Sequence, residues 1–92
     1  MYDLAFAARA KRSLKKLRRS GSFDEAQFRE VVDKLRNGER LPHLFKEHRL
    51  HAGLANYREC HLKFDLLLVY EIDHTLHTLT ISKIGTHDEL FG

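Results

Sequence analysis

The chain is unusually rich in histidine, whose side chain can carry out acid–base chemistry. Seven histidines occur among 92 residues, and a free imidazole titrates at a pKa of about 6.5, so it can donate or accept a proton near neutrality. RNA cleavage needs little more than such groups, because the ribose 2′-hydroxyl is itself the nucleophile. A base must take the hydroxyl proton, an acid must protonate the leaving oxygen, and cations must offset the charge that develops on the phosphate.

One predicted strand, residues 55–62, carries a carboxylate and an imidazole together. Alternate residues of a strand point to the same side, so Glu59 and His61 share a face and Arg58 lies on the opposite face. Asp65 is predicted to open the next strand and to approach His61 across a tight hairpin. This part of the sheet therefore gains groups that acid–base chemistry requires.

Two other histidines flank these strands. His48 lies in a segment, residues 39–53, that has no sustained hydrophobic period and is predicted to be a loop, and His87 follows the last predicted strand. Both can fold over the same sheet edge, although the sequence does not require it. The other histidines are expected to have no function, because an isolated surface histidine usually has none. They are His43, His51, His74 and His77.

Neither a metal site nor a disulfide is predicted. His74 and His77 are spaced as His-x-x-His, but the sequence has no cysteine pair and no HExxH motif to accompany them. Cys60 is the single cysteine, which excludes an internal disulfide and fits a reducing cytosol. We therefore predict a cytoplasmic protein that uses no metal and no cofactor.

The first half of the chain predicts a strand and two helices. A strand over residues 2–6 precedes a helix in which apolar residues recur at i, i+4 and i+7. Those residues are Ala10, Leu14 and Leu17. The second helix is predicted to begin with a capping box formed by Ser22 and Glu25 and to end at Asn37-Gly38. Its apolar face consists of Phe28, Val31, Val32 and Leu35.

The second half predicts three strands, over residues 55–62, 65–72 and 75–84, joined as an antiparallel meander. The apolar run over residues 66–70 is typical of a central strand covered on both faces, and it is too short to span a membrane. The fold class is therefore α+β, with an N-terminal strand, a helical hairpin and a three-stranded antiparallel meander completing a small sheet. All of it forms one predicted domain, residues 1–92.

The charge balance is moderately basic. Sixteen lysines and arginines stand against thirteen acidic residues, which gives a formal charge of +3. Many of the cations surround the apolar stripe of the first helix and make its exposed surface basic. Such a surface can bind phosphates or an acidic protein partner, and it is also a common form of solvated helix face.

Residues 45–92 resemble the YafQ branch of the RelE/ParE toxin superfamily. The resemblance rests on an ordered set of motifs: Lys46-Glu47-His48, Tyr57-Arg58-Glu59-Cys60-His61, Asp65, Val69-Tyr70, Gly85-Thr86-His87 and Leu90-Phe91-Gly92. The first half is similar only in its strand and helical hairpin. The resemblance implies a microbial-ribonuclease-like toxin of a type II toxin–antitoxin system. Such a toxin is an mRNA interferase that enters the ribosomal A site, cleaves mRNA and inhibits translation.

The same resemblance implies the partners of the chain. A cognate antitoxin would inhibit the toxin, and one form of the toxin–antitoxin complex would be a heterotetramer bound to operator DNA. The ribosome and mRNA would be the targets, and no membrane would be involved. The basic helical hairpin and the open sheet edges are the expected docking surfaces for an acidic, partly disordered antitoxin segment.

Site residues follow from the positions that match the family motifs. His48, His61, Asp65 and His87 match the acid–base and orienting positions, with His87 as the principal proton-transfer residue and Asp65 as the orienting carboxylate. The expected substrate-binding residues are Glu59, Phe91, Lys46 and Arg58, of which Phe91 is the aromatic that positions RNA. For Arg58, which strand alternation places opposite Glu59 and His61, a buried or partner-facing structural role is equally expected. Glu59 stands where close relatives commonly have aspartate, which moves the charge outward by about one methylene.

Two other functions remain open at this point. A ParE-like toxin would use a related fold to poison DNA gyrase without cleaving RNA, and a basic module could bind RNA without catalysis. The grouped histidines favour the nuclease, since a gyrase-binding surface has no chemical need for several imidazoles beside a carboxylate.

Overall fold

The computed structural model of the protein describes residues 1–50 and 57–92. Its elements are strand β1 (Asp3–Phe6), helices α1 (Ala8–Ser20) and α2 (Glu25–Arg36), a 3-10 turn (His43–Phe45), strands β2 (His48–Arg49), β3 (Tyr57–Leu62), β4 (Leu66–Asp73) and β5 (Thr78–Thr86), and helix α3 (His87–Phe91). Within the described ranges the strands form one sheet in the order β1-β5-β4-β3-β2, with β1 parallel to β5 and the other pairs antiparallel. The predicted α+β class and the order of its main elements are confirmed.

Helices α1 and α2 bury their apolar stripes on one face of this sheet. Ala10 and Leu14 of α1 are buried, Leu17 packs at the margin, and the predicted apolar face of α2 is buried throughout. Helix α1 ends at Gly21, whose φ of 78° is the left-handed conformation that glycine adopts without strain. Among the described residues, none of the helices combines the length and the apolar surface that crossing a membrane requires.

The start of α2 differs from the prediction. Asp24 is the N-cap, and its carboxylate accepts a hydrogen bond from the Gln27 backbone N–H at 2.9 Å. The predicted capping box of Ser22 and Glu25 is therefore wrong. An aspartate caps a helix as well as a serine does, and Glu25 is instead paired with Arg18, whose Nε lies 2.7 Å from its Oε1.

The strand pattern is confirmed, whereas several strand ends move. Residues 66–70 of β4 are all buried, as a central strand requires, and β5 alternates between buried and partly exposed positions. Strand β4 begins one residue later than predicted, β5 runs from Thr78 to Thr86, and the predicted loop contains the 3-10 turn and β2. Residues 51–56, which hold the end of that loop and the first residues of the predicted strand 55–62, lie outside the described residues.

Cross-strand pairing assigns each side chain to a face of the sheet, because directly opposed residues share a face. One row, Cys60, Leu68 and Ile84, belongs to the core beneath the helices. The next row, His61, Leu67 and Gly85, therefore points to the other face. That second face carries His61 and, through the pairing of β2 with β3, His48.

Candidate active site

The second face of the sheet carries a carboxylate between two imidazoles. His48 of β2 is directly opposite Glu59 of β3, and His61 is two residues further along β3. Oε1 of Glu59 lies 3.3 Å from Nε2 of His48 and 3.6 Å from Nε2 of His61. The Glu59 side chain is only 8% exposed, whereas those of His48 and His61 are 48% and 40% exposed. A buried anion thus holds two imidazoles that solvent and substrate can reach.

The backbone before β2 sets the orientation of the His48 ring. Nδ1 of His48 lies 2.9 Å from the carbonyl oxygen of Lys46, and because a carbonyl only accepts, Nδ1 must carry the donated proton. Nε2 is then the atom that faces Glu59. Lys46 adopts a left-handed φ of 49° and its side chain is exposed, so it adds a cation at the edge of the site.

Asp65 does not occupy the orienting position that the sequence suggested. It lies in the turn between β3 and β4 with a φ of 58°, and it is exposed. Its carboxylate makes no hydrogen bond or ion pair with any residue of the ranges 1–50 and 57–92. The strand ladder begins only at Leu66, so Asp65 is not aligned with the row that contains His61. Glu59 is the carboxylate that contacts both histidines, and a role for Asp65 stays a prediction.

Helix α3, which carries His87 and Phe91, packs against Gly85 of β5. A Cβ added to Gly85 would meet Oε1 of Glu89 at 3.1 Å and Cδ2 of Leu90 at 3.3 Å, so α3 lies against the side of the sheet toward which that position points. Gly85 is in the row of His61, two strand spacings or about 10 Å away. A capping box formed by Thr86 and Glu89 begins the helix.

The exposed rings at the two ends of α3 face the same way. Residues i and i+4 of a helix are neighbours, and the ring centroids of His87 and Phe91 are 5.7 Å apart. Both residues are exposed. An imidazole next to an aromatic ring is an arrangement that can contact a nucleotide through its base and its phosphate.

Arg58 lies on the opposite side of the sheet, as the strand alternation predicted. Its Nε donates to Oε2 of Glu47 at 3.2 Å, and the hydroxyl of Tyr70 donates to the same oxygen. Burial, reinforced by the neighbouring carboxylate, raises the pKa of Tyr70, so the hydroxyl remains a donor. Sequence reasoning assigned no role to Glu47 or Tyr70. The signal that could have found them is a charged residue directly before the short strand that carries His48.

Cys60 is not available as a nucleophile. It is buried in the core beneath the helices, and burial raises the pKa of its thiol to about 12. A thiol that stays protonated at neutral pH reacts slowly. The chemistry of the site therefore depends on the imidazoles and the carboxylate.

The side chains of His48, Glu59 and His61 together fit a transition-metal ion. Their ligating atoms all lie within 4.8 Å of one another. Bonds of about 2.0–2.1 Å to a tetrahedral ion place two ligand atoms about 3.3 Å apart, close to the separations of Glu59 from His48 and His61. The hydrogen bond from His48 to Lys46 is the outer contact that commonly orients a metal-binding histidine. The sequence predicted no metal site, because these ligands are brought together by pairing between β2 and β3.

A basic groove lies along α1. It has a volume of about 520 Å³ and is lined by Phe6, Lys11, Leu14, Lys15, Arg18 and Arg19. Apolar walls with a cationic rim suit an amphipathic acidic segment better than a phosphate backbone alone. None of these lining residues belongs to the group of His48, Glu59 and His61.

Comparisons with known proteins identify the family of the chain. Residues 2–92 match the sequence model of the family described as "Bacterial toxin of type II toxin-antitoxin system, YafQ". A 52-residue stretch is 36% identical to the mRNA interferase toxin YafQ of Escherichia coli strain B/BL21-DE3, which is 56% of this chain and 54% of that protein. The chain thus matches about half the length of that curated relative.

Solved structures extend the similarity over the whole fold. The crystal structure of a metal-bound toxin from Helicobacter pylori has a TM-score of 0.91 and 38% identity, covering 99% of this chain and 100% of that one. The toxin in the E. coli DinJ-YafQ toxin–antitoxin complex has a TM-score of 0.87 and 25% identity, covering 99% and 98%. With the family match spanning residues 2–92, the chain belongs to the YafQ family of bacterial type II toxin–antitoxin toxins.

Proposed function

We propose that the chain is an endoribonuclease toxin that cleaves mRNA on the ribosome by metal-independent acid–base catalysis. The observation that carries this proposal is the pair of accessible imidazoles, His48 and His61, held within 3.3 and 3.6 Å of the buried Glu59 carboxylate. Cleavage of an RNA phosphodiester by the neighbouring ribose 2′-hydroxyl requires two proton-transfer groups held side by side, and imidazoles are suited to that role. The similar E. coli protein bears the name mRNA interferase toxin.

The proposed reaction assigns each proton to a side chain. An imidazole removes the proton of the ribose 2′-hydroxyl, the 2′-oxygen attacks phosphorus, and the bond from phosphorus to the 5′-oxygen breaks as that oxygen receives a proton from a second imidazole. His87 is the principal proton-transfer residue, and His48 and His61 act as its partners. The exposed ammonium of Lys46 offsets phosphate charge, and Phe91 stacks on a base.

The proposed partners are a cognate antitoxin and the ribosome. A related E. coli toxin was solved as the DinJ-YafQ toxin–antitoxin complex, and the basic groove of α1 is complementary to an acidic antitoxin segment. The ribosome would hold mRNA in a reactive geometry, which is worth several orders of magnitude in rate. We further propose a cytoplasmic location and an antitoxin complex that binds operator DNA.

The proposal also gives metal ions an inhibitory role, through the ligating atoms of His48, Glu59 and His61. A related H. pylori toxin was crystallised in a metal-bound form, and His48, Glu59 and His61 would hold such an ion here. Nitrogen lone pairs that bind a cation cannot accept the proton of a hydroxyl. We therefore propose that a transition metal competes with catalysis at this site.

The test is cleavage of mRNA on programmed ribosomes in the presence of a chelator, with cut positions mapped by primer extension. Wild type should cut, and His87→Ala should lose at least about 10²-fold in rate, the size expected for lost acid–base transfer. His43→Ala, which removes an exposed histidine remote from α3 along the chain, should cut like wild type. Folded wild type that arrests growth without cutting mRNA would overturn the proposal in favour of a gyrase poison.

A further inference from the structure

Strand β2 carries His48 but has little of its own to hold it in place. It is two residues long, and both of them are exposed. Beyond its two paired positions, Leu50 N donates to the carbonyl of Tyr57 at 3.0 Å. Arg49 lies directly opposite Arg58, and like charges at opposed positions destabilise a strand pair. Some other contact must keep this edge strand on the sheet.

Glu47, directly before β2, supplies that contact. Its side chain is 17% exposed, and one carboxylate oxygen accepts hydrogen bonds from the Tyr70 hydroxyl and from Arg58 Nε. Tyr70 is fully buried on the central strand β4, so the contact reaches the most rigid part of the sheet. The Glu47 carboxylate also offsets the charge of Arg58 that opposes Arg49.

The geometry transmits this contact to the His48 ring. The carbonyl that accepts from His48 Nδ1 belongs to Lys46, and it is part of the peptide unit that joins Lys46 to Glu47. Because a peptide unit is planar, that carbonyl moves together with the backbone nitrogen of Glu47, so holding Glu47 restricts the directions that the carbonyl can take. The carbonyl in turn holds Nδ1 of His48 and thereby turns Nε2 toward Glu59.

We propose that Glu47 and Tyr70 are positioning residues that set the orientation of the His48 ring, with Arg58 as the second donor that completes the group. The catalytic part of this inference rests on the proposed nuclease function. Arg58 is thereby assigned to holding Glu47 rather than to binding RNA.

Tyr70→Phe tests the proposal, because it removes one hydroxyl and keeps the ring that fills the core. A catalytic group displaced by about 1 Å can lose about 10²-fold in rate, so kcat for mRNA cleavage should fall by about 10- to 100-fold while KM stays nearly unchanged. The matched control is Tyr2→Phe, which also removes a bonded hydroxyl, 2.7 Å from His74 Nδ1. The control should leave kcat unchanged.

Nitrogen-15 NMR of the His48 ring gives a readout that a purely structural role would not move. Wild type should show a hydrogen-bonded Nδ1 proton that exchanges slowly with water, and Tyr70→Phe should show faster exchange of that proton. Because this spectrum needs no RNA, it separates failure of the inference from failure of the proposed nuclease function. Unchanged ring signals together with unchanged kcat would overturn the inference.

Substitutions at Glu47 decide the matter if Tyr70→Phe does not fold. Glu47→Gln keeps an acceptor for the Tyr70 hydroxyl and loses the charge, whereas Glu47→Ala loses both. The inference requires that the protection of the His48 Nδ1 proton from exchange and the cleavage rate both decrease in the order wild type, Glu47→Gln, Glu47→Ala. Equal spectra and equal rates in the two variants would contradict it.

Discussion

The sheet carries two groups of histidines toward opposite ends of β4, and they differ in what surrounds the imidazoles. In the first, His48 and His61 share the buried carboxylate of Glu59. In the second, at the turn between β4 and β5, the Tyr2 hydroxyl lies 2.7 Å from His74 Nδ1, and the Tyr2 ring stacks on His77 with centroids 4.3 Å apart.

The environment of the second group is aromatic rather than acidic. Within the ranges 1–50 and 57–92, no ion pair joins either of its imidazoles to a carboxylate. The Tyr2 contact instead ties the start of the chain to the hairpin, where Asp3 N also bonds to the His77 carbonyl at 2.9 Å. The difference teaches that a buried counter-charge distinguishes His48 and His61 from His74 and His77, which the number of histidines in the chain cannot do.

The largest expected effect is the contrast between one histidine from each group. His61→Ala should reduce mRNA cleavage on ribosomes by about 10²- to 10⁴-fold, because it removes an acid–base group. His74→Ala should leave the rate unchanged. The rates should be measured per folded molecule, with circular dichroism as the check on folding. An equal loss of activity in the two variants would show that the two groups of histidines do not differ in function.

Metal binding should sharpen the same contrast. Zinc added to the metal-free protein should bind one equivalent and inhibit cleavage, and chelator should restore it. His48→Ala should weaken zinc binding by at least about 10-fold, since even outer contacts of a metal site are worth that much. His74→Ala should bind zinc as wild type does. Isothermal titration calorimetry gives the affinities, and equal weakening in both variants would place the metal elsewhere.

The smallest effect concerns the acid sensitivity of α3, which carries His87. Hydrogen bonds from the Thr86 backbone and side chain lower the pKa of Glu89 below the ordinary 4.5. A lowered folded-state pKa contributes stability that is present above that ordinary value and is lost as the pH falls through the folded pKa. As the pH falls below about 4.5, wild type should therefore show faster amide exchange in α3 than in the strands of the sheet.

Glu89→Gln is the control for that effect. Glutamine keeps a capping-box acceptor but does not titrate, so the exchange rates of α3, corrected for the intrinsic dependence on pH, should become nearly independent of pH. An unchanged pH dependence in Glu89→Gln would show that another group opens the helix.

Much of the fold was predictable because its elements are locally amphipathic. The stripe of Ala10 and Leu14, the apolar run over residues 66–70 and the alternation of Leu79 and Ile81 each match their burial. The helix start was not predictable in the same way. Asp24 and Ser22 are both good N-caps, and the contacts that separate the alternatives pair Glu25 with Arg18 and Asp24 with Lys63.

The sequence predicted the residues of the candidate site better than it predicted their arrangement. Strand alternation placed Glu59 and His61 on one face, and the structure agrees. The assignment of Asp65 as the orienting carboxylate depended on a strand beginning one residue earlier. A left-handed φ at Phe64 and Asp65 turns that residue out of the ladder instead, which a pattern of hydrophobic residues cannot show.

By itself the sequence determined the α+β class, the faces of β3 and the residue types available for proton transfer, because these depend on periodicities of two and 3.6 residues. Only the tertiary structure decided that His48 lies opposite Glu59, and that Glu47 is held by Tyr70. His48 and Glu59 are 11 positions apart in the chain, and Glu47 and Tyr70 are 23 apart. Contacts at such separations arise from strand pairing and chain reversal, which local periodicity does not encode.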